Sequence, residues 1–338
     1  MPRRVTLADV AHTAGVSPTT VSHALSGKGR VDEATRRRVR EAAASLGYVP
    51  NRAARNLALG RSDTIGLMLP RLTQMPLDEL LLTDWYGQVT VCASQVVLRH
   101  HRALLILPDV RTGAELDAYA LEGVLVLDPL TDDPRWPALR TSTTPRVLLG
   151  RDPSGELGPV VDYDSELGTR SLLDHMWERG ARRPALVLPD IGWSTLTASR
   201  AAYDRWCAER GVRPVVGQAS VARCSTVADV VDAAERAAAR LLARRTPPDA
   251  LIGLLGYFGR GIVAAAHARG LEVPQDLLVA QDIDGLEAQI GTPPITALDV
   301  DITDQLAVAV ELLLSGMADP SEVRVVTPTL VVRGSTVV

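Results

Sequence analysis

Residues Val5 to Gly66 read VTLADVAHTAGVSPTTVSHALSGKGRVDEATRRRVREAAASLGYVPNRAARNLALGRSDTIG. Thr6-Leu7-Ala8-Asp9 opens with a reciprocal capping box, and Leu7, Val10, Ala11 and Ala14 recur at helical spacing. Gly15 then turns the chain sharply, and Ser17-Pro18 starts a second helix whose apolar stripe is Val21 and Leu25. Thr19, Thr20, Ser22 and His23 lie off that stripe or at its margin, close to the helix start. Short hydrogen-bonding side chains there suit the base edges of a major groove. A third helix starts at Asp32, turns Val39, Ala42, Ala43 and Leu46 inward, and stops at Gly47. After Tyr48-Val49-Pro50, a run from Asn51 to Ala58 reads as a helix too short to form without a partner.

Charge separates this head from the rest of the chain. Residues 1–61 carry eleven Arg or Lys and four acids, a net +7, whereas the remainder carries 25 basic and 36 acidic residues, a net −11. A basic head on an acidic body is the footprint of a module that neutralises phosphates.

From Ser62 onward short apolar runs alternate with helical stretches, the pattern of parallel sheet covered on both faces. Strands are expected at 64–69, 103–107, 123–127, 146–149 and 160–161, with one long helix over 78–99. The alternation resumes at Asp164 with strands at 185–188, 213–216, 250–254 and 277–280, and helices at 165–179, 196–210, 227–244 and 258–269. The fold class expected is α/β: an all-α helix-turn-helix head plus two doubly wound subdomains.

The segments TLADVAHTAGVSPTTVSHALSG, VDEATRRRV and LGYVPNRAARNLALGRSDTIG resemble the N-terminal region of the lactose-repressor/galactose-repressor family of bacterial transcription regulators. Asp164-Ser165 leading to Gly168, Gly180-Ala181-Arg182-Arg183, Arg200, Gly270 to Pro274, Pro293 to Thr296 and Val332 to Ser335 are similar to the same family's core, itself like a periplasmic binding protein. The resemblance implies domains at 1–50 (DNA binding), 51–61 (hinge helix) and 62–338 (effector binding and dimerisation). The core would divide into 62–160 with 291–318 and 161–290 with 319–338. It implies a homodimer or tetramer that reads a nearly palindromic double-stranded operator with a central CG step and acts as a repressor in the cytoplasm, on the nucleoid. Pro18, Thr19 and His23 would read bases, and Thr6, Ser17, Thr20, Ser22, Arg30, Asn51, Arg52 and Arg55 would complete the DNA contacts. Leu57 would wedge into the minor groove and bend the duplex.

A small-molecule effector, sugar-like or another metabolite, would sit between the subdomains and meet Leu72, Trp193, Arg200, Tyr257, Phe258, Asp282 and Asp284. Each has a plainer alternative: Arg200 as a surface ion pair, Asp282 and Asp284 as turn caps, the aromatic residues as core fillers. Leu255-Gly256 stands where the family has a pair ending in aspartate, Ile283 replaces an aspartate, and Ala181 a histidine. A pocket with those losses disfavours plain hexoses, and a pocket that ignores sugars altogether is the alternative reading.

Other functions are poorly served. Gly256-x-x-Gly259-x-Gly261 has the wrong order for a dinucleotide fingerprint, and neither a phosphate-binding loop nor a nucleophile elbow is present. No cofactor or catalysis is expected. Cys92, Cys207 and Cys224 lack the spacing of a zinc site or disulfide framework. No apolar run is long enough to span a membrane, and Met1-Pro2-Arg3-Arg4 leads straight into a capped helix rather than a signal peptide.

Overall fold

The computed structural model describes residues 5–26, 31–48, 62–71, 73–152, 157–316 and 319–337. They fall into two compact units, Met1–Asp63 and Thr64–Val338.

The first unit holds α1 (Leu7–Ala14), α2 (Pro18–Ser26) and α3 (Glu33–Ser45). Its start signals work as the sequence reads. The Thr6 amide donates to Asp9 Oδ2 at 2.8 Å while Thr6 Oγ1 accepts from the Asp9 amide at 3.4 Å, so two donors that a helix start leaves orphaned are satisfied. Gly15, at φ 65°, makes the tight turn. Ser17 Oγ accepts from the Thr20 amide at 3.1 Å, and Asp32 Oδ1 from that of Thr35 at 2.8 Å. The last bond holds the Asp32 carboxyl below the usual carboxylate range. Val10, Ala11, Ala14, Val21, Ala24, Val39, Ala42 and Ala43 form the core, whose small side chains let three short helices pack closely.

The second unit contains, in chain order, β1 (Thr64–Met68), β2 (Ala103–Ile106), β3 (Gly123–Leu127), β4 (Arg146–Leu149), β5 (Val160–Tyr163), β6 (Pro184–Pro189), β7 (Val216–Ala219), β8 (Ala250–Gly253), β9 (Leu278–Gln281), β10 (Thr296–Asp299), β11 (Val323–Val326) and β12 (Thr329–Val331). Its helices are α4 (Leu77–Leu81), α5 (Asp84–Arg99), α6 (Gly113–Asp117), α7 (Trp136–Thr141), α8 (Ser165–Glu178), α9 (Ser194–Arg210), α10 (Val227–Leu242), α11 (Phe258–His267), α12 (Leu286–Ile290) and α13 (Ile302–Ser315). One sheet runs β11-β5-β4-β3-β1-β2 with all neighbours parallel, the other β12-β10-β9-β8-β6-β7 with only β12 antiparallel. β1, β3, β6, β8 and β9 are covered on both faces, which is why they read as unbroken apolar runs.

Several boundaries differ from the sequence reading. The chain passes between the sheets after β5, after β10 and after β11, so 296–299 belongs to the second sheet and 323–326 to the first. The long helix expected over 78–99 is two, because Thr83 Oγ1 accepts from the Tyr86 amide and starts α5 afresh. The strand expected at 213–216 lies three residues later: the Val215 amide is bound by Tyr203 Oη at 2.9 Å, and Pro214 has no N–H to offer a ladder.

Candidate functional site

On the first unit, α2 presents Pro18, Thr19 and His23 to solvent, with Thr20 and Ser22 half-exposed, while Val21 and Ala24 face the core. The hydroxyl of Ser17 is shared between the Thr20 amide and Thr20 Oγ1, and Thr6 serves the α1 cap, so both have structural work besides any contact with DNA. Arg37, Arg38 and Arg40 stand exposed on α3. Arg30, Asn51, Arg52, Arg55, Leu57 and the effector candidate Leu72 lie outside the described residues.

In the second unit a cavity of about 110 Å³ opens where the carboxyl ends of the two sets of strands face each other. Asp128 follows β3, Gly150 follows β4, Asp162 and Tyr163 end β5, and Thr73 comes from the loop after β1. From the other sheet, Ile191 and Trp193 follow β6, Leu255 to Tyr257 follow β8, and Asp282 and Ile283 follow β9. Trp85 and Tyr86 enter from α5, and Gln305 from α13. Ligands of open parallel sheets bind at such strand ends.

Hydrogen bonds join the two sides at three places around this cavity. The Gln74 amide donates to Cys224 O at 3.0 Å, and the Thr131 amide and hydroxyl donate to Gly192 O at 2.9 and 3.0 Å. Asp84 makes the third: its amide donates to Tyr257 Oη at 2.7 Å, and its Oδ2 accepts from the Glu287 amide at 3.1 Å. Tyr257 sits at φ 71°, a conformation uncommon for a side chain of its size, and Asp128 at φ 45°. Both strained residues face the cavity, where such strain concentrates in binding sites.

Electrostatically the cavity is one-sided. Its described lining contains Asp128, Asp162 and Asp282 and no Lys, Arg or His. Burial pushes the Asp128 carboxyl up to about 6 against the pull of the Tyr86 hydroxyl, which donates to Oδ2 at 3.2 Å. Burial likewise raises Asp162 to about 6, although Arg151 Nε donates to its Oδ2 at 3.1 Å, and raises Asp282 to about 8. Burial first, and then the three carboxylates, push the Tyr163 phenol well above its ordinary range. Asp282 Oδ1 and Trp193 Nε1 are buried without a hydrogen-bond partner among the described residues.

Of the residues expected at the effector, Trp193, Tyr257 and Asp282 line the cavity. Three others do not. Arg200 sits half-buried at the margin of the α9 core face, is not among the residues lining the cavity, and pairs with Asp204 one turn on, at 2.8 Å. Phe258 is wholly buried between β8 and α11 beside Leu251, Ile262 and Val279. Asp284 is held by Arg333 at 2.6 Å and, with the Ser335 hydroxyl bonded to Thr296, ties the C-terminal strand segment down. Sequence reasoning missed Trp85, Tyr86, Asp128, Asp162 and Tyr163; the available signal was their place at, or opposite, strand carboxyl ends.

Comparison with known proteins agrees with this architecture. Residues 6–51 match the bacterial regulatory proteins of the lacI family, and residues 173–336 match the periplasmic binding protein-like domain. The HTH-type transcriptional regulator CelR of Thermobifida fusca is 31% identical over 88% of this chain and 87% of its own length. The HTH-type transcriptional regulator RafR of Escherichia coli is 28% identical over 83% and 82%. Among solved structures, a CelR–cellobiose complex superposes with a TM-score of 0.68 at 26% identity over 98% of this chain and all of that one. A lac repressor dimer bound to operator and the anti-inducer ONPF superposes with 0.79 at 22% over 99% and 100%, a likeness of fold. With a helix-turn-helix head, two doubly wound halves and a relative of that identity across nearly its whole length, the chain belongs to the lacI family of bacterial regulatory proteins and is a DNA-binding transcriptional regulator.

Proposed function

We propose that this regulator is a homodimeric repressor whose affinity for a two-fold operator is set by a small molecule held between the two sheets. The observation that carries the effector reading is the cavity itself: aromatic faces and carboxylates converge there from both sheets, and the rim is stitched across at three points. A ligand touching both sides binds the closed arrangement better than an open one and therefore shifts the balance between them. Three carboxylates in the wall speak against a degenerate pocket. Trp193, Tyr257 and Asp282 keep their expected roles, joined by Trp85, Tyr86, Asp128, Asp162 and Tyr163.

Support for dimerisation comes from apolar side chains left in water. Leu82, Val91 and Leu98 on or beside α5, and Leu286 and Ile290 on α12, are all more than half exposed, and the Asp84 bond to Glu287 brings these two helices together. An apolar surface of that kind marks a protein interface. Pro18, Thr19 and His23 are assigned to base reading, His23 offering two ring nitrogens to base edges. Selection from random duplexes tests this: wild type should enrich a palindromic site, and His23→Ala should change the preferred base in each half. An identical consensus for both proteins would remove His23 from base reading.

A further inference from the structure

The carboxylates of the cleft specify more than a generic ligand. The Asp162 charge is partly met by Arg151, whose side chain is half in solvent. Arg135, the other cation near Asp128, is committed elsewhere: its Nε and Nη2 bind Asp133 at 2.9 and 2.6 Å, and Nη1 is bound to Met68 O and Leu127 O. Its donors are therefore taken up by Asp133, itself buried, and by backbone carbonyls including Asp128 O, and only the pull of its charge reaches the Asp128 carboxyl. Among the described residues, Asp282, 8% exposed with Oδ1 free of any partner there, and the half-buried Asp128, whose Oδ2 accepts from the Tyr86 hydroxyl, are left as two cleft acids with no ion pair of their own.

A neutral polyol entering this cleft would offer hydroxyl donors to the two acids without cancelling their charge. An ammonium group supplies three donors and cancels the charge in the same step. Trp85, Trp193 and Tyr163 line the same small cavity and add aromatic rings, to whose π systems cations are drawn. Phosphorylated or carboxylated metabolites are opposed by the same carboxylates. Resting on the reading of this cleft as the effector site, we propose that the effector is a cationic amine, an amino sugar or aliphatic amine, whose ammonium group is taken between Asp128 and Asp282.

The test uses the full chain in calorimetric titration at neutral pH and moderate salt. The amine probes are glucosamine and putrescine, their neutral counterparts are glucose and 1,4-butanediol, and cellobiose is added as a neutral disaccharide. At least one amine should bind saturably at one site per chain, and more tightly than its neutral counterpart. Loss of a charge-assisted contact in Asp282→Asn should weaken that amine about tenfold or more. Asp128→Asn is an independent second variant, each being checked for an intact core by tryptophan fluorescence. Three results overturn the amine class: binding of cellobiose or glucose with none of the amines; amine binding unchanged in both variants, which places it outside the cleft; and no binding by any amine. The first leaves the effector cleft standing and rejects only the charge of its ligand.

Discussion

Asp282 shows what a single side chain in this protein does and how little of it the sequence discloses. Resemblance to the family made Asp284 a candidate and brought in Asp282, two residues before it, yet the two stand in different surroundings. Asp282 is an acid of the cleft whose Oδ1 has no partner among the described residues, while Asp284 is neutralised by Arg333 from the far end of the chain. Nothing in the spacing Asp282-Ile283-Asp284 separates them, because the partner is 49 residues away. Arg200 is the converse case: its partner Asp204 is one helical turn along, and the surface ion pair given as the plainer alternative is present. The raised carboxyls have a thermodynamic consequence. With Asp128 and Asp162 up at about 6 and Asp282 at about 8, the folded core keeps protons that the unfolded chain, with ordinary carboxylates, has released. Stability must then fall as pH rises from about 4 to 8. Each tenfold rise in a carboxyl's proton affinity on folding is worth about 1.4 kcal/mol. Guanidinium unfolding followed by tryptophan fluorescence reports the second unit alone, since all five tryptophans lie there. Wild type should unfold at lower denaturant at pH 8.5 than at pH 5.5, and Asp282→Asn should narrow that gap; an equal gap in the variant would show that Asp282 is not the titrating group.

Elements were legible in proportion to how local their causes are. The capping box at Thr6, the turn at Gly15 and the N-cap at Asp32 involve residues three or four apart, and the first unit's helices were readable to within a residue or so. Strand existence was equally plain in the fully covered strands. Sheet membership was not, because β10 and β11 are each four residues long and their assignment rests on partners distant in sequence: Ala280 for Thr296, and Val160 for Val323. Among the glycines after β8, Gly261 has a packing cause. A Cβ on Gly261 would lie 2.4 Å from Val231 O and 2.8 Å from the Ala234 Cβ, so this glycine lets α11 lie against α10. Gly261→Val should cost about 3 kcal/mol or more, since backbone on the facing helix cannot yield easily. A variant with wild-type thermal stability would mean that the two helices are not held at this separation.

At the scale of the molecule, the exposed apolar residues and the one-sided cleft belong to the same second unit, and both bear on regulation. Leu98 is 64% exposed on α5, where a monomer gains nothing from it. Leu98→Asp should convert the dimer to a monomer in sedimentation and weaken operator binding strongly, because the second half-site contact is lost; an intact dimer would move the interface elsewhere. The net +7 of residues 1–61 and the net −11 of the remainder confine phosphate attraction to the head. Operator affinity should accordingly fall steeply as salt rises. The most direct test of effector-controlled operator binding is a titration of the full chain on its selected operator, with and without a saturating cleft ligand. A two-fold site bound tightly at low salt, with its affinity shifted at least about tenfold by the ligand, a coupling of about 1.4 kcal/mol, is the expected result; a selected operator whose affinity is the same with the cleft filled would contradict it.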